Sequence, residues 1–553
     1  MSSIHASESI QHWNNETCHS RETILSRIDT VAAATPERTA IVDLLPKGEA
    51  WQLSYASLVD KSYRVAEQLL ARDIQPGEAV CYQWPTGWEF IALTLGIWRI
   101  GALPCPILPS LREREVSYIV EQSGSRLLAV PDSFRNFDYR PLAENIAATV
   151  PQTLEICILP MDNRHPEKSN LGTLMADSYN KSAIDARSPD RDALAELLFT
   201  SGTTGAPKGA LHTHGTLLAA LMHHTQTLAL TDADSVYVPS PLAHQTGFLY
   251  GMMVSLYLGS TGIYQAIWDT ETARRAIEQH GARFVQAAMP FLADLVRQNT
   301  PPQGLRTFVA TGAAIPRALA ERASSLLACQ VVGGWGSTEA CLVAVGRPSD
   351  PAQSLWGTDG RVMDGMQMRV VDDAGREVPA GVEGNFQVKT PAMFVDYLHR
   401  HDLYAAGFTE DGFFDTGDLA TIDSAGFLHL TGRKKDVINR GGEKIPVAEL
   451  EDILYQHPAV VDMALVAMPD ERLGERACAY VVVQAGQSLS LQDLTDFLES
   501  RGVAKIYWPE RVECVSELPR TASGKVQKYI LRQDIAGKLQ EEQTVGPTSE
   551  VQH

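Results

Sequence analysis

Residues 197–209 read LLFTSGTTGAPKG, and this stretch restricts the fold more than any other. Leu197, Leu198 and Phe199 have the character of a buried strand. The strand runs directly into glycines and hydroxyl residues that end at Lys208. Glycines let backbone N–H groups come close to phosphate oxygens, Ser and Thr add hydroxyl donors, and the lysine adds a point charge. A Walker A loop needs glycine directly before its lysine. Pro207 stands there instead, so a P-loop kinase or GTPase is disfavoured. A Gly/Thr-rich surface turn is the plainer alternative, and the buried-type strand before the loop argues against it.

The surroundings of this loop point to α/β layers. From about residue 20 to residue 195 short apolar runs alternate with helical patterns. Tyr55 to Ala71 predicts a helix, Pro76-Gly77 a turn and Ala79 to Gln83 a strand, a pattern typical of mostly parallel sheets. Residues 163–190 are polar and read as a surface excursion. The last hundred residues read as a separate small unit. There Pro446 opens a helix with Leu450, Ile453 and Leu454 as its apolar stripe. Strand-like runs follow at Val460 to Ala467 and Ala477 to Val483. Ser490 then caps a second helix, with Asp493 three residues on and Leu491, Leu494, Phe497 and Leu498 facing the core. With 553 residues, two to four folding units are expected. The expected plan is a flexible lead-in over 1–20, a large N-terminal multi-layer α/β domain over 21–432 and a hinge at 433–436. A small mobile C-terminal α+β lid domain over 437–535 and a disordered tail over 536–553 complete it.

Charge and cysteines exclude several function classes. The formal net charge is −20, which argues against a nucleic-acid partner, since such a protein presents a basic face. The eight cysteines are scattered and none stands at C-x-x-C spacing, so neither a zinc ribbon nor a dithiol redox motif is supported. Scattered thiols suit a reducing, cytoplasmic setting. The N-terminal MSSIHASESIQHWNN lacks a hydrophobic signal core. Gly247 to Trp268 is weakly polar but broken by glycines, Ser255, Ser260, Thr261 and Gln265. It reads as buried sheet and helix, with a membrane span the poorer alternative.

The segment Thr200–Gly209 resembles the signature loop of the adenylate-forming superfamily, which includes acyl-CoA synthetases, peptide-synthetase adenylation domains and firefly luciferase. The superfamily's other motifs follow in order, and the resemblance spans about residues 25 to 535. PLAHQTGF (241–248) resembles the motif with a gating histidine beside the acyl pocket, a role that falls on His244. ATGAAIP (310–316) resembles the segment on which adenine lies, here Gly312 and Ala313. In GGWGSTEA (333–340) the resemblance gives Trp335 stacking on adenine with Gly336 beside it, Thr338 on the α-phosphate and Glu339 on Mg2+. Taken alone, Glu339 reads equally well as a solvated surface acid. FFDTGDLA (413–420) offers Asp418 for the ribose hydroxyls. In GRKKDVINRGGEKIP (432–446) Arg433 holds ribose or phosphate, Lys435 marks the hinge, Gly441 and Gly442 line the thiol tunnel, and Lys444 meets a CoA phosphate. LPRTASGKVQK (518–528) places Lys525 at the position of the superfamily's catalytic lysine.

The resemblance therefore implies catalytic roles for Lys525, Lys208, Glu339, Thr338 and His244. It implies nucleotide or CoA contacts from Thr200, Ser201, Gly202, Thr203 and Thr204, along with the residues above. ATP, Mg2+ and coenzyme A are the implied cofactors. The implied chemistry is activation of a carboxylic acid to acyl-AMP, then transfer to CoA. The stretches PLAHQTGFLYGMM and AMPFLADL resemble ligases for medium-chain or alicyclic acids, and GRKKDVINRGGEKIP resembles aryl-acid enzymes. Phe248, Met252, Met289 and Phe291 are the expected acyl-pocket lining. No acid stands beside His244 in sequence to bind an amino group, which favours an apolar acid. Asn385, Thr390 and Asp396 replace a glutamate and two glycines usual in the superfamily. A carrier protein acting in trans is the alternative acceptor, and a non-catalytic nucleotide-binding protein is a more distant reading. No membrane span and a monomer or homodimer are expected.

Overall fold

The computed structural model describes residues 22–45, 48–161, 171–200, 207–298, 300–312, 317–441, 443–521 and 525–544. Its largest sheet has nine strands, in the order Arg361–Val362, Cys341–Val345, Gln330–Ser337, Thr307–Ala310, Phe284–Ala287, Val236–Val238, Gly262–Gln265, Thr39–Leu44 and Ala50–Ser54. Neighbours are parallel through the middle, and antiparallel pairs close both ends. Central strands such as Phe284–Ala287 are buried along their whole length, as sheets covered on both faces require. Four parallel strands, including Ala79–Tyr82 and Leu127–Pro131, make a second sheet.

The predicted helix forms over Tyr55–Ala71. Ser54 caps it, accepting the Ser57 N–H at 3.2 Å. Tyr55, Leu58, Ser62, Val65, Ala66 and Leu69 make its buried stripe against the wholly buried helix Trp88–Arg99. Gly96 permits the close approach: a Cβ there would lie 2.4 Å from Val65 Cγ1.

The phosphate-loop strand Leu194–Thr200 pairs antiparallel with Lys208–Thr213, which pairs in turn with Asp396–Tyr397. A further antiparallel sheet runs Gln367–Val371, Gly384–Lys389, Phe414–Ile422 and Leu428–Arg433. Asn385, Thr390 and Asp396 therefore sit in the body, not at the C-terminal unit.

The C-terminal unit has its own five-stranded sheet, built from Ile438–Arg440, Glu443–Ile445, Val460–Asp470, Gly474–Val483 and Arg511–Val515. Pro446 occupies the cap position, and the helix itself spans Val447–Leu454. Leu450 and Leu454 are buried, while Ile453 packs at the margin. Ser490 and Asp493 form the expected capping box of Leu491–Ser500. Leu494 and Leu498 reach full burial, Phe497 packs against the core, and Leu491 stays part-exposed.

One expectation fails at the C-terminus. The chain does not lose order at residue 536: a helix runs Lys528–Thr544. Leu531, Ile535 and Leu539 pack at four-residue spacing, and Arg511 pairs with Glu542 at 2.8 Å. Among the described residues no helix is long and apolar enough to cross a membrane.

Candidate functional site

Strand ends bring eleven of the predicted residues together. Lys208 opens the strand after the phosphate loop. Its ammonium donates to the Tyr397 hydroxyl at 3.0 Å and lies 4.2 Å from the centre of that ring. The Tyr397 hydroxyl donates to Glu339 Oε1 at 2.6 Å. Strand pairing makes this row: Ala210 lies opposite Tyr397, and Leu398 N–H donates to the Gly209 carbonyl at 2.8 Å. The Phe394 N–H donates to the Glu339 carbonyl at 2.7 Å.

Thr338 and Glu339 follow the strand Gln330–Ser337 at a hairpin. Gly336 allows the return strand to pass, since a Cβ there would lie 2.6 Å from the Cys341 carbonyl oxygen. His212 holds the hairpin from behind. Its Nε2–H donates to the Thr338 carbonyl at 2.7 Å, and Nδ1 faces Thr216 Oγ1 at 3.1 Å. Burial lowers the His212 pKa to about 4, so the ring is neutral at pH 7.

Asp418 sits between two donors. The Trp335 indole N–H donates to Oδ2 at 2.8 Å, and Arg433 Nε pairs with Oδ1 at 3.1 Å. Trp335 also meets Phe386 edge to face at 4.8 Å. Thr200 lies at the end of its strand, with Oγ1 donating to the Lys208 carbonyl at 3.3 Å.

Lys525 reaches this cluster from the C-terminal unit. A Cβ on Gly312 would lie 3.4 Å from Lys525 Cε, and Gly312 holds φ +94°, a left-handed backbone that suits glycine. Loss of water lowers the Lys525 pKa to about 8. Arg433 adds to that fall, while Asp418 and Glu339 oppose it. His244 is near enough to feel the lysine: burial first, and then Lys525, lower its pKa to about 3. The Thr246 N–H donates to His244 Nδ1 at 3.3 Å, so the neutral ring carries its proton on Nε2.

Comparison with known proteins decides the family. Residues 28–398 match the model of the AMP-binding enzyme, and residues 449–525 match that of the AMP-binding enzyme C-terminal domain. The chain belongs to the AMP-binding enzyme family. It is 36% identical over 513 residues to the medium-chain fatty-acid–CoA ligase of Escherichia coli (strain K12), covering 92% of this chain and 89% of that one. It is 32% identical over 533 residues to the salicyl-AMP ligase / salicyl-S-ArCP synthetase of Mycobacterium tuberculosis, covering 94% and 91%. The ATP-bound crystal structure of MatB from Rhodopseudomonas palustris superposes with a TM-score of 0.82 at 26% identity, covering 93% of this chain and 99% of that one. As an AMP-binding enzyme, the chain is a ligase that activates an acid to its acyl-adenylate, with ATP and Mg2+ as cofactors.

The donor set fits magnesium. Glu339 Oε1 accepts from Tyr397, and among the described residues no hydrogen bond reaches Oε2. One free carboxylate oxygen plus nucleotide phosphates is the oxygen-rich environment that Mg2+ prefers. When bound, the ion neutralises phosphate charge and eases departure of pyrophosphate.

Other predicted residues are placed apart. Phe248 and Met252 are fully buried on a π-helix, Phe248–Met253, within the first core. Met289 and Phe291 pack in a second core, with Phe291 edge-on to Trp268 at 4.8 Å. The four expected lining residues therefore do not form one cluster. Gly441 is an exposed hairpin turn at φ +62°, and Lys444 is exposed on the next strand. Lys435 lies in the single turn Lys434–Asp436 that leads out of the body. Ser201, Gly202, Thr203, Thr204, Ala313 and Gly442 lie outside the described residues.

The linear sequence concealed two features of the site. Tyr397 arrives by strand pairing across 189 residues. Glu196 is an acid the motifs did not mark: it is wholly buried and its side chain meets Gln245, the residue after His244. Burial raises its pKa to about 8, so it stays protonated and offers no negative charge at pH 7.

Proposed function

We propose that this enzyme converts an apolar carboxylic acid (medium-chain, alicyclic or aryl) into its acyl-CoA. The seat of Lys525 carries the reading. A lysine from one folding unit stands among the nucleotide-binding groups of the other, where two anions must meet. A substrate carboxylate oxygen attacks the α-phosphorus of ATP, the bond to the β-phosphate bridge breaks, and pyrophosphate leaves. The Lys525 ammonium lies between carboxylate and α-phosphate and offsets their repulsion. Thr338 contacts the α-phosphate, Lys208 the outer phosphates and Asp418 the ribose. Neutral His244 borders the acyl group without adding charge.

In the second half-reaction the C-terminal unit swings about Lys435 and withdraws Lys525. Gly441 and Gly442 then line the thiol channel, and Lys444 approaches the CoA phosphate. The thiol sulfur bonds to the acyl carbon, the bond to AMP breaks, AMP departs and the thiol proton passes to solvent. Phe248 and Met252 favour carbon over charge in the acyl site, at about 0.8 kcal/mol per buried methylene. The protonated state of Glu196 removes the anion that an amino-acid substrate would need.

The test is a panel of straight-chain, alicyclic and aryl acids with ATP, Mg2+ and CoA. Thioester mass and acid-dependent ATP–pyrophosphate exchange are measured. Thioester from an apolar acid is expected. Exchange without any CoA thioester would shift the acceptor to a carrier protein. No exchange with any acid would overturn the reading in favour of a non-catalytic nucleotide binder.

A further inference from the structure

Lys208 and Glu339 carry opposite charges and stand on either side of one phenol. The Tyr397 hydroxyl accepts from Lys208 Nζ at 3.0 Å and donates to Glu339 Oε1 at 2.6 Å. Without that oxygen the two side chains would be free to pair directly. A lysine paired to the carboxylate would be drawn away from phosphate, and its partner would be drawn away from a metal. With the phenol between them, Lys208 spends one of its three N–H donors on Tyr397, and among the described residues no hydrogen bond uses the other two. Glu339 is fixed through Oε1, and among the described residues Oε2 accepts no hydrogen bond.

The ring is held firmly enough to act as a spacer. Tyr397 is 3% exposed and meets Phe394 edge to face at 4.6 Å. Its N–H donates to Asp396 Oδ1 at 2.8 Å, and Asp396 Oδ2 lies 3.1 Å from His401 Nδ1. Asp396 stands where the superfamily usually has glycine. In this chain it is a side-chain acceptor that ties down the residue carrying the phenol.

We infer that Tyr397 is a positioning residue: its hydroxyl keeps Lys208 and Glu339 from neutralising each other and so sets the magnesium dependence of ATP binding. This rests on the proposed function only through the roles of Lys208 and Glu339, and its test needs no acyl transfer. Calorimetry of ATP binding to the full chain is run across a Mg2+ series. The proteins are wild type, Tyr397→Phe, Lys208→Met and the double variant. Phenylalanine keeps the ring and its contact with the ammonium, so only the hydroxyl is lost.

The Mg2+ concentration for half-maximal enhancement of ATP binding should rise about tenfold in Tyr397→Phe. In the Lys208→Met background the same change should shift it less than threefold, because no lysine remains to capture Glu339. An unchanged Mg2+ dependence in Tyr397→Phe would overturn the inference. So would an equal tenfold shift in both backgrounds, which would mark the phenol as a direct aid to Glu339 and not a spacer. A wild type that binds ATP with Mg2+ but forms no adenylate would overturn the proposed function and leave the spacer to be judged by these titrations.

Discussion

At the scale of single residues, burial sets the working charge of the site. His212 and His244 are driven neutral, and Glu196 keeps its proton. Lys525, lowered to about 8, remains mostly charged at pH 7 but loses its proton roughly two and a half pH units earlier than an exposed lysine. The sign follows directly. The ammonium form is the one that offsets two anions, so activity tied to the free enzyme falls as pH rises through about 8. The expected result is a kcat/KM for adenylation that drops about tenfold per pH unit above that point. The fall in kcat should lie at higher pH, because bound ATP and carboxylate favour the ammonium form. Pyrophosphate exchange measured from pH 6 to 10 checks this, and a flat kcat/KM to pH 10 would contradict it. The sequence showed Lys525 and Glu339 through their motifs. It could not show Tyr397 or Glu196, since one is brought in by strand pairing and the other gains its properties only from being enclosed.

At the scale of elements, local signals read well and long-range placement did not. The helix Tyr55–Ala71 and the capping box at Ser490 were legible because cap and apolar stripe lie within one stretch of chain. The helix Lys528–Thr544 was missed because its polar surface is held by partners far away in sequence, such as Arg511. The sequence motifs group the acyl lining together, whereas Phe248 and Met252 pack in one core and Met289 and Phe291 in or against another. Contact between the units is also element-level. Arg317 N–H, at the start of the helix Arg317–Leu326, donates to Asp452 Oδ1 at 2.8 Å. Arg317 Nη2 pairs with the buried Asp359 at 2.8 Å. The Arg317–Asp452 bond and the seating of Lys525 beside Gly312 occur together in this structure. A hydrogen bond to a charged group contributes about 1.5 kcal/mol. Asp452→Ala is therefore expected to slow adenylation roughly tenfold while leaving thioester formation from supplied acyl-AMP at or above the wild-type rate. Equal slowing of both half-reactions would remove the contact's link to lid position.

At the scale of the whole molecule, a body built on a mostly parallel sheet supplies the proposed nucleotide groups at its strand ends. A small five-stranded unit supplies one lysine from outside. The acyl-adenylate is prone to hydrolysis, so the two units must enclose it and then reopen a path for the thiol. The charge pattern agrees with this division of labour. Despite a net charge of −20, Lys208, Arg433 and Lys525 converge on one centre with Asp418 and Glu339 between them. The most direct measurement compares Lys525→Ala with wild type in the two half-reactions taken separately. Acyl-AMP formation from acid and ATP should fall at least a hundredfold, whereas thioester formation from supplied acyl-AMP and CoA should stay within about threefold. Loss of both to the same degree, or retention of adenylation, would contradict the two-unit account.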